Sequence, residues 1–147
     1  VTEIASAGTE HLDSWATLRH ELWDEESIAS HRAEAAAQLS DSDRFLNLVA
    51  LDNDVVVGFA EASIRHEYVN GCDESPVLFL EGILVASAAR RSGVARRLVD
   101  AVADWGRKRG CREFASDAWH DDVDSHAFHL AAGFEETERV VYFRREL

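Results

Sequence analysis

Two sets of residues in this chain are spaced to do chemistry. The first is Arg90-Arg91-Ser92-Gly93-Val94-Ala95, which follows the apolar run Val77 to Val85 and leads into an amphipathic stretch through Leu98, Val99, Val102 and Trp105. A strand that ends in a short basic loop opening a helix presents unpaired backbone N–H groups and the positive end of the helix dipole, a site for phosphate. Gly93 and Ala95 leave that backbone open to close approach, and Arg90, Arg91, Arg96 and Arg97 add charge. The second set is carboxylates. Glu81 stands inside the apolar run, where ionisation is costly unless the residue faces a polar cleft or is paired. Asp117 follows the next apolar segment, at the strand end where open α/β sheets carry their sites. Each has a plain structural alternative, an edge-facing or arginine-paired glutamate and a turn or helix-capping aspartate.

The elements that must hold these residues follow from periodicity. Thr9 is positioned to cap a helix bearing Leu12, Trp15, Leu18 and Leu22, and Ser27 to cap a second, Ala-rich helix to about Leu39. Phe45 to Leu51 and Val55 onward read as strands joined by the Asp52-Asn53-Asp54 turn, and the second strand continues to His66. Pro76 leads into a strand ending at Val85. A helix then runs to about Arg109, where Gly110 stops it. Cys111 to Ser116 reads as a short strand, Asp122 to Gly133 as a helix, and Val140-Val141-Tyr142-Phe143 as a last strand, with room for one extra strand before the first helix. The order predicts one mixed α/β domain over residues 1–147, with a single central sheet flanked by helices.

Bulk properties narrow the class. The chain has 147 residues, 46% hydrophobic and 29% charged, an ordinary globular balance with enough length for a core. Twenty-eight acidic against fifteen basic residues give a net charge of -13, which argues against nucleic acid as a partner and favours cations. No apolar run reaches the roughly 20 residues of a membrane span, and no basic-then-apolar leader is visible. Cys72 and Cys111 are too few for a disulfide framework, so a reducing cytoplasm is expected. The seven histidines show no metal-ligand spacing, and no metal is expected.

The strand, the Arg-x-x-Gly-x-Ala loop, the helix, the next strand and a helix ending in Ala132-Gly133-Phe134-Glu135 together resemble the GNAT superfamily of acetyl-CoA-dependent N-acetyltransferases. A narrower resemblance, to the aminoglycoside 6'-N-acetyltransferases, is carried by Ala62 to Asp73, Phe79-Leu80-Glu81-Gly82-Ile83, Trp105-Gly106, Gly110-Cys111-Arg112-Glu113, Ala115-Ser116-Asp117 and Gly133 to Arg139. The resemblance implies the GNAT fold, with a splayed strand pair binding coenzyme A, and acetyl transfer to the 6'-amine of a polycationic antibiotic by direct attack, conferring resistance. It also implies a homodimer, pairing through the sheets and the Val140 to Phe143 strand. Two readings stand beside this one: a GNAT enzyme acting on another polyamine or protein amine, and a coenzyme A-binding module without catalysis.

The resemblance also implies roles. Glu81 and Asp117 face the acceptor amine, either one a candidate base for an ammonium that must lose a proton, and the Val85 N–H is the oxyanion donor. Trp23, Glu25, Tyr68 and Glu138 line the antibiotic pocket. Trp23 is alternatively core, and Glu135, Glu136 and Glu138 alternatively a solvated run. Ile83, Leu84 and Val85 take the pantetheine, and Arg91, Ser92, Gly93, Val94, Ala95 and Arg96 the pyrophosphate. Asp122 stands where related enzymes often have asparagine on the pantetheine arm, although an ionised carboxylate accepts and does not donate. His129 replaces a tyrosine that in many GNAT enzymes protonates the leaving thiolate. It either serves as that acid or packs beside coenzyme A while solvent supplies the proton.

Overall fold

Polar residues in the middle of a sheet need a reason, and here the sheet supplies it. The structure is a computed structural model describing residues 2–147. It contains β1 (Glu3–Ser6), a 3-10 turn at Thr9–His11, α1 (Leu12–Leu22), α2 (Ile28–Leu39), β2 (Phe45–Asp52), β3 (Val55–Arg65), β4 (Val77–Val85), α3 (Val94–Lys108), β5 (Phe114–Ser116) and α4 (Val123–Ala131). The strands form one sheet in the order β1-β2-β3-β4-β5. All neighbours are antiparallel except β4 and β5, which run parallel after the α3 crossover. The short strand before the first helix is present as β1.

Local signals explain most of the boundaries. Asn53 and Asp54 both take positive φ, 49° and 65°, as the tight β2–β3 hairpin requires. Ser27 caps α2 by accepting from the Ser30 N–H at 3.1 Å. Gly93, with φ of 81°, opens α3, and Gly110, also at 81°, lies just beyond its end. Thr9 does not cap α1. It begins the 3-10 turn, and α1 starts at Leu12 without a side-chain cap.

Two cores cover the two faces of the sheet. Val94, Leu98 and Val102 of α3 pack on Ala60, Ala62, Ile64 and Leu78. Leu12, Trp15 and Leu18 of α1, with Ala35 of α2, pack on Val49 and Phe59. Three layers result, with the sheet in the middle.

One expected strand is absent. Residues 134–147 form no helix or strand, and Val141, Tyr142 and Phe143 are exposed. Val-Val-Tyr-Phe has high β propensity, but a strand needs a partner for its N–H and C=O groups. Among the described residues no strand pairs with it, and the free edge on that side of the sheet is β5, only three residues long.

Candidate active site

The site is organised by a fault in β4. Glu61 pairs with Gly82 and Ala62 with Leu80, so Glu81 has no partner on β3 and forms a β-bulge. Leu78, before the bulge, belongs to the α3 core, and Ile83 and Val85, after it, pack in that same core. The bulge thus shifts the alternation by one. It leaves Glu81 and Gly82 on the opposite face, beneath α1 and α2.

That face carries a polar row on β3: Glu61, Ser63 and Arg65 alternate with core residues Ala60, Ala62 and Ile64. Ser63 Oγ donates to Glu81 Oε2 at 2.6 Å, and Arg65 Nη2 donates to Glu81 Oε1 at 2.7 Å. Of the two roles open to Glu81, the arginine-paired one is therefore present, in a position that also borders a cleft.

Glu61 is buried, and Trp15 Nε1 donates to its Oε2 at 2.9 Å while Arg19 pairs with its Oε1. Burial pushes the Glu61 carboxyl up, and the Arg19 guanidinium opposes this. Arg19 also reaches Glu34 at 3.0 Å and donates to His31 Nδ1 at 3.3 Å. His31 Nε2 lies 2.7 Å from the Trp23 carbonyl, which can only accept. Nε2 therefore carries the hydrogen and Nδ1 receives the Arg19 bond, so the neutral tautomer is fixed.

This buried cluster ends at Trp23. The indole lies under Arg19, 5.0 Å from the ring centroid, stacks on His31 and meets Phe59 edge-on. Its six-membered ring rests on Gly82, where a Cβ would come within 2.4 Å of Cη2 and Cζ2. Trp23 is thus both core and wall. Above this floor opens a cleft of about 520 Å³ whose lining includes Trp23, Glu25, Glu81 and Arg65. Its carboxylates are Glu25, Glu26, Glu34, Glu61, Glu67 and Glu81, against Arg19, Arg44 and Arg65, a lining of six acids and three bases suited to a polycation.

The other predicted acceptor residues, Asp117, Tyr68 and Glu138, are not part of this lining. The last β4–β5 pair is Leu80 with Ser116, so Asp117 follows beside the bulge. It is exposed, and no side-chain hydrogen bond is made by it among the described residues. Tyr68 is 75% exposed and Glu138 is exposed, both outside the cleft lining. Their segments meet nonetheless: Gly71, at φ of 81°, lies against the Thr137 side chain, where a Cβ would come within 2.2 Å of Oγ1.

On the opposite side of the bulge the sheet splays. β5 ends at Ser116 while β4 continues to Val85. Ala86 N–H bonds Val57 O at 2.8 Å, and Gly58 pairs with Val85. By antiparallel alternation the N–H and C=O of Ile83 and Val85 then point away from β3, into the space β5 has vacated. Arg90 Nε reaches the Val85 carbonyl at 2.8 Å, leaving the Val85 N–H facing the opening. Leu84 packs in the core under α1.

The basic loop is less free than its composition suggests. Arg96 donates to the Ala131 carbonyl and pairs with Asp100, and Arg97 donates to the Thr2 carbonyl. Ser92 Oγ donates to the Ala89 carbonyl at 2.6 Å. The N–H groups of Val94, Ala95 and Arg96 begin α3 and lack helical partners, since the first helical bond is that of Arg97 N–H to Gly93 O. Arg91, with φ of 63°, and Gly93 both turn left-handed, and nothing lies within 4 Å of a Cβ built on Gly93.

At the far wall of the splay, His129 Nδ1 lies 2.7 Å from the Ser125 carbonyl and Nε2 lies 2.8 Å from Ser116 Oγ. The carbonyl requires the hydrogen on Nδ1, so in the neutral ring Nε2 accepts from the Ser116 hydroxyl. Asp122 caps α4 by accepting from the Ser125 N–H at 3.1 Å, and that is the contact its carboxylate makes here. Burial pushes both cysteine thiols up, Cys72 also under the influence of Glu113, which disfavours a thiolate nucleophile. Among the described residues no three His, Cys, Asp or Glu side chains converge as a metal site, and no helix is long and apolar enough to cross a membrane.

Comparison with known proteins covers nearly the whole chain. The acetyltransferase (GNAT) family model matches residues 12–134. The aminoglycoside N(6')-acetyltransferase type 1 of Salmonella typhimurium is 46% identical over 143 residues, 97% of this chain and 98% of that protein. The solved structure of AAC(6')-Iy in complex with the bisubstrate analog CoA-S-monomethyl-acetylneamine superposes with a TM-score of 0.93 at 44% identity, over 100% of this chain and 99% of that one. AAC(6')-IG from Acinetobacter haemolyticus, without ligand, gives 0.94 at 46% identity and 99% coverage of each chain.

Proposed function

Because the chain belongs to the acetyltransferase (GNAT) family, we propose that it transfers the acetyl group of acetyl-CoA to the 6'-amine of aminoglycoside antibiotics by direct attack. The observation that carries this is the place of the Glu81 bulge: an acidic cleft opens on one side of it and a splayed strand edge with free N–H groups on the other. A cationic amine and a thioester brought to those two sides meet at β4.

Each residue then has a task. Glu25, Glu81 and the Trp23 face hold the polycation, through charge-assisted hydrogen bonds and ring contact. Tyr68 and Glu138 join them from the segments that meet at Gly71. Asp117 is the base that takes the ammonium proton. It is the freer of the two central carboxylates, since Glu81 already receives Ser63 and Arg65. The Val85 N–H stabilises the oxyanion, and Ile83 and Leu84 complete the strand that receives the pantetheine arm, with Asp122 at its border. The backbone from Arg91 through Ser92, Gly93, Val94 and Ala95 to Arg96 holds the pyrophosphate. His129 packs beside coenzyme A, and solvent protonates the thiolate.

The same reading includes a cytoplasmic homodimer, in which the exposed apolar residues Val140, Val141, Tyr142 and Phe143 find a strand partner in a second copy. Light scattering should then give twice the chain mass, and deletion of residues 140–147 should give monomers. The activity is tested by mixing protein, acetyl-CoA and kanamycin or tobramycin and following free thiol. Turnover with raised resistance in an expressing host is expected, and absence of turnover on every 6'-amino aminoglycoside overturns the proposal.

A further inference from the structure

A carboxylate meant for a ligand must be aimed, and on Glu81 the aiming groups come from β3. Oε2 receives Ser63 Oγ at 2.6 Å, Arg65 Nη2 at 2.9 Å and Arg65 Nε at 3.2 Å. Oε1 receives only Arg65 Nη2, at 2.7 Å. Each carboxylate oxygen has two lone-pair sites, so Oε2 is saturated and one site remains on Oε1. The guanidinium is itself braced from behind, with Cζ 3.6 Å from the ring centroid of the buried Phe79.

This clamp is not explained by stability. The two side chains are 32% and 29% exposed, so water screens part of the attraction and the pair's contribution to folding is modest. The clamp is also complete without any ligand and sits on Glu81, whose side chain the bulge turns into the acidic cleft. Flexible carboxylates bind cations from many directions, whereas a fork held by an arginine on a rigid strand offers one.

We infer that Arg65, helped by Ser63, is a positioning residue for acceptor recognition: it occupies Oε2 of Glu81 and aims the free site of Oε1 at the ammonium group of the aminoglycoside. This rests on the acetyltransferase reading given above. Arg65 does not touch the acceptor's reacting atoms and acts through Glu81, so its effect must vanish when Glu81 can no longer serve as an ionic ligand.

A double-mutant cycle reads that dependence. Arg65→Met keeps the stem length over Phe79 and removes the fork. Tobramycin binding by calorimetry, in the presence of coenzyme A, should weaken about tenfold, and the acceptor KM should rise in parallel. The acetyl-CoA KM and the melting temperature should stay at their wild-type values. In a Glu81→Gln background the same substitution should change tobramycin binding little, Ser63→Ala should give a smaller loss than Arg65→Met, and Arg65→Lys should recover part of the affinity. An equal loss with and without Glu81 overturns the inference. Tighter tobramycin binding by Arg65→Met overturns it too, because the guanidinium would then compete with the ammonium rather than aim its ligand. Wild-type turnover is recorded first. Its absence on all 6'-amino aminoglycosides refutes the acetyltransferase reading, whereas turnover with an independent Arg65 refutes the positioning role alone.

Discussion

Gly82→Ala isolates the contact on which the Trp23 wall of the cleft depends. A Cβ at this position would lie 2.4 Å from both Cη2 and Cζ2 of Trp23 and 3.2 Å from Leu22 Cδ2, well inside ordinary carbon–carbon contact. The indole cannot simply swing aside. It stacks on His31, meets Phe59 edge-on, lies under Arg19, and its own carbonyl is held by His31 at 2.7 Å. Overpacking of this kind costs about 1–3 kcal/mol. The loss of chain entropy in the unfolded state on going from glycine to alanine offsets about 0.4–1 kcal/mol of that. With the indole boxed in, the upper part of the overpacking range applies, about 2–3 kcal/mol, which leaves a net of about 1–2.6 kcal/mol and a fall in Tm of about 2–10 °C for a chain of this size. Differential scanning fluorimetry measures this. Steady-state kinetics should show kcat/KM for tobramycin falling about tenfold or more, since displacements near 1 Å are costly, while the acetyl-CoA KM holds. Trp23→Phe removes the part of the ring that meets the new methyl, so the double variant should regain most of the Tm lost by Gly82→Ala. Wild-type Tm and kinetics in Gly82→Ala, or a double variant that loses the sum of both single effects, would refute the packing argument.

Asp117→Asn should lower kcat/KM for the acceptor by about 10²–10⁴, the usual worth of a general base, and unchanged kinetics would remove it from that role. Arg19→Met leaves Glu61 buried without its counter-charge and should cost about 3–5 kcal/mol near neutral pH. Burial already raises the Glu61 carboxyl in the folded protein, so the folded state holds this proton to higher pH than the unfolded chain, and stability from this group is lost as pH rises above its ordinary range. The Tm deficit of Arg19→Met should therefore grow between pH 5 and 8 in thermal melts, and a constant deficit would contradict the assignment. His129→Asn should raise the acetyl-CoA KM and change kcat by far less than the roughly hundredfold or more that loss of a general acid costs.

The features legible in the sequence are those fixed by near neighbours. The Asp52-Asn53-Asp54 hairpin, the Ser27 cap and the Gly93 and Gly110 punctuation all depend on local backbone geometry, and each stands where the residues place it. Glu81 stood out because a charge inside an apolar strand costs free energy wherever it lies. Its bulge was not visible, because a register shift of one residue depends on how β3 pairs, not on the composition of β4. Arg65, Ser63 and Glu61 were missed as site residues, though a signal existed: a row of period two that is polar on both sides of Ala62 and Ile64, in a strand that must be covered on both faces. Arg19 and Glu61 lie 42 residues apart, and no local pattern joins them. Val140 to Phe143 failed for the converse reason, since propensity alone provides no partner strand.

The basic loop shows how composition and geometry part company. Four arginines in an acidic chain suggest an anion held by side-chain charge, yet Arg90, Arg96 and Arg97 are each spent on a backbone carbonyl, of Val85, Ala131 and Thr2. These bonds tie the end of β4 to the loop, and the end of α4 and Thr2 to the opening turns of α3. Arg91 alone of the four has no side-chain hydrogen bond among the described residues, and it sits in a left-handed turn two residues before Gly93. The arginines thus build the loop more than they bind with it. On the proposed function, recognition of the pyrophosphate would fall to the backbone N–H groups of the loop and the first turn of α3, with Arg91 as the one arginine of the four whose side chain is free to add charge. Arg91→Ala should consequently weaken coenzyme A binding moderately and leave Tm unchanged. Arg90→Ala should lower Tm as well, because it unties the Val85 carbonyl at the end of β4. Calorimetry with coenzyme A and thermal melts separate the two, and equal behaviour of both variants would contradict this division of labour.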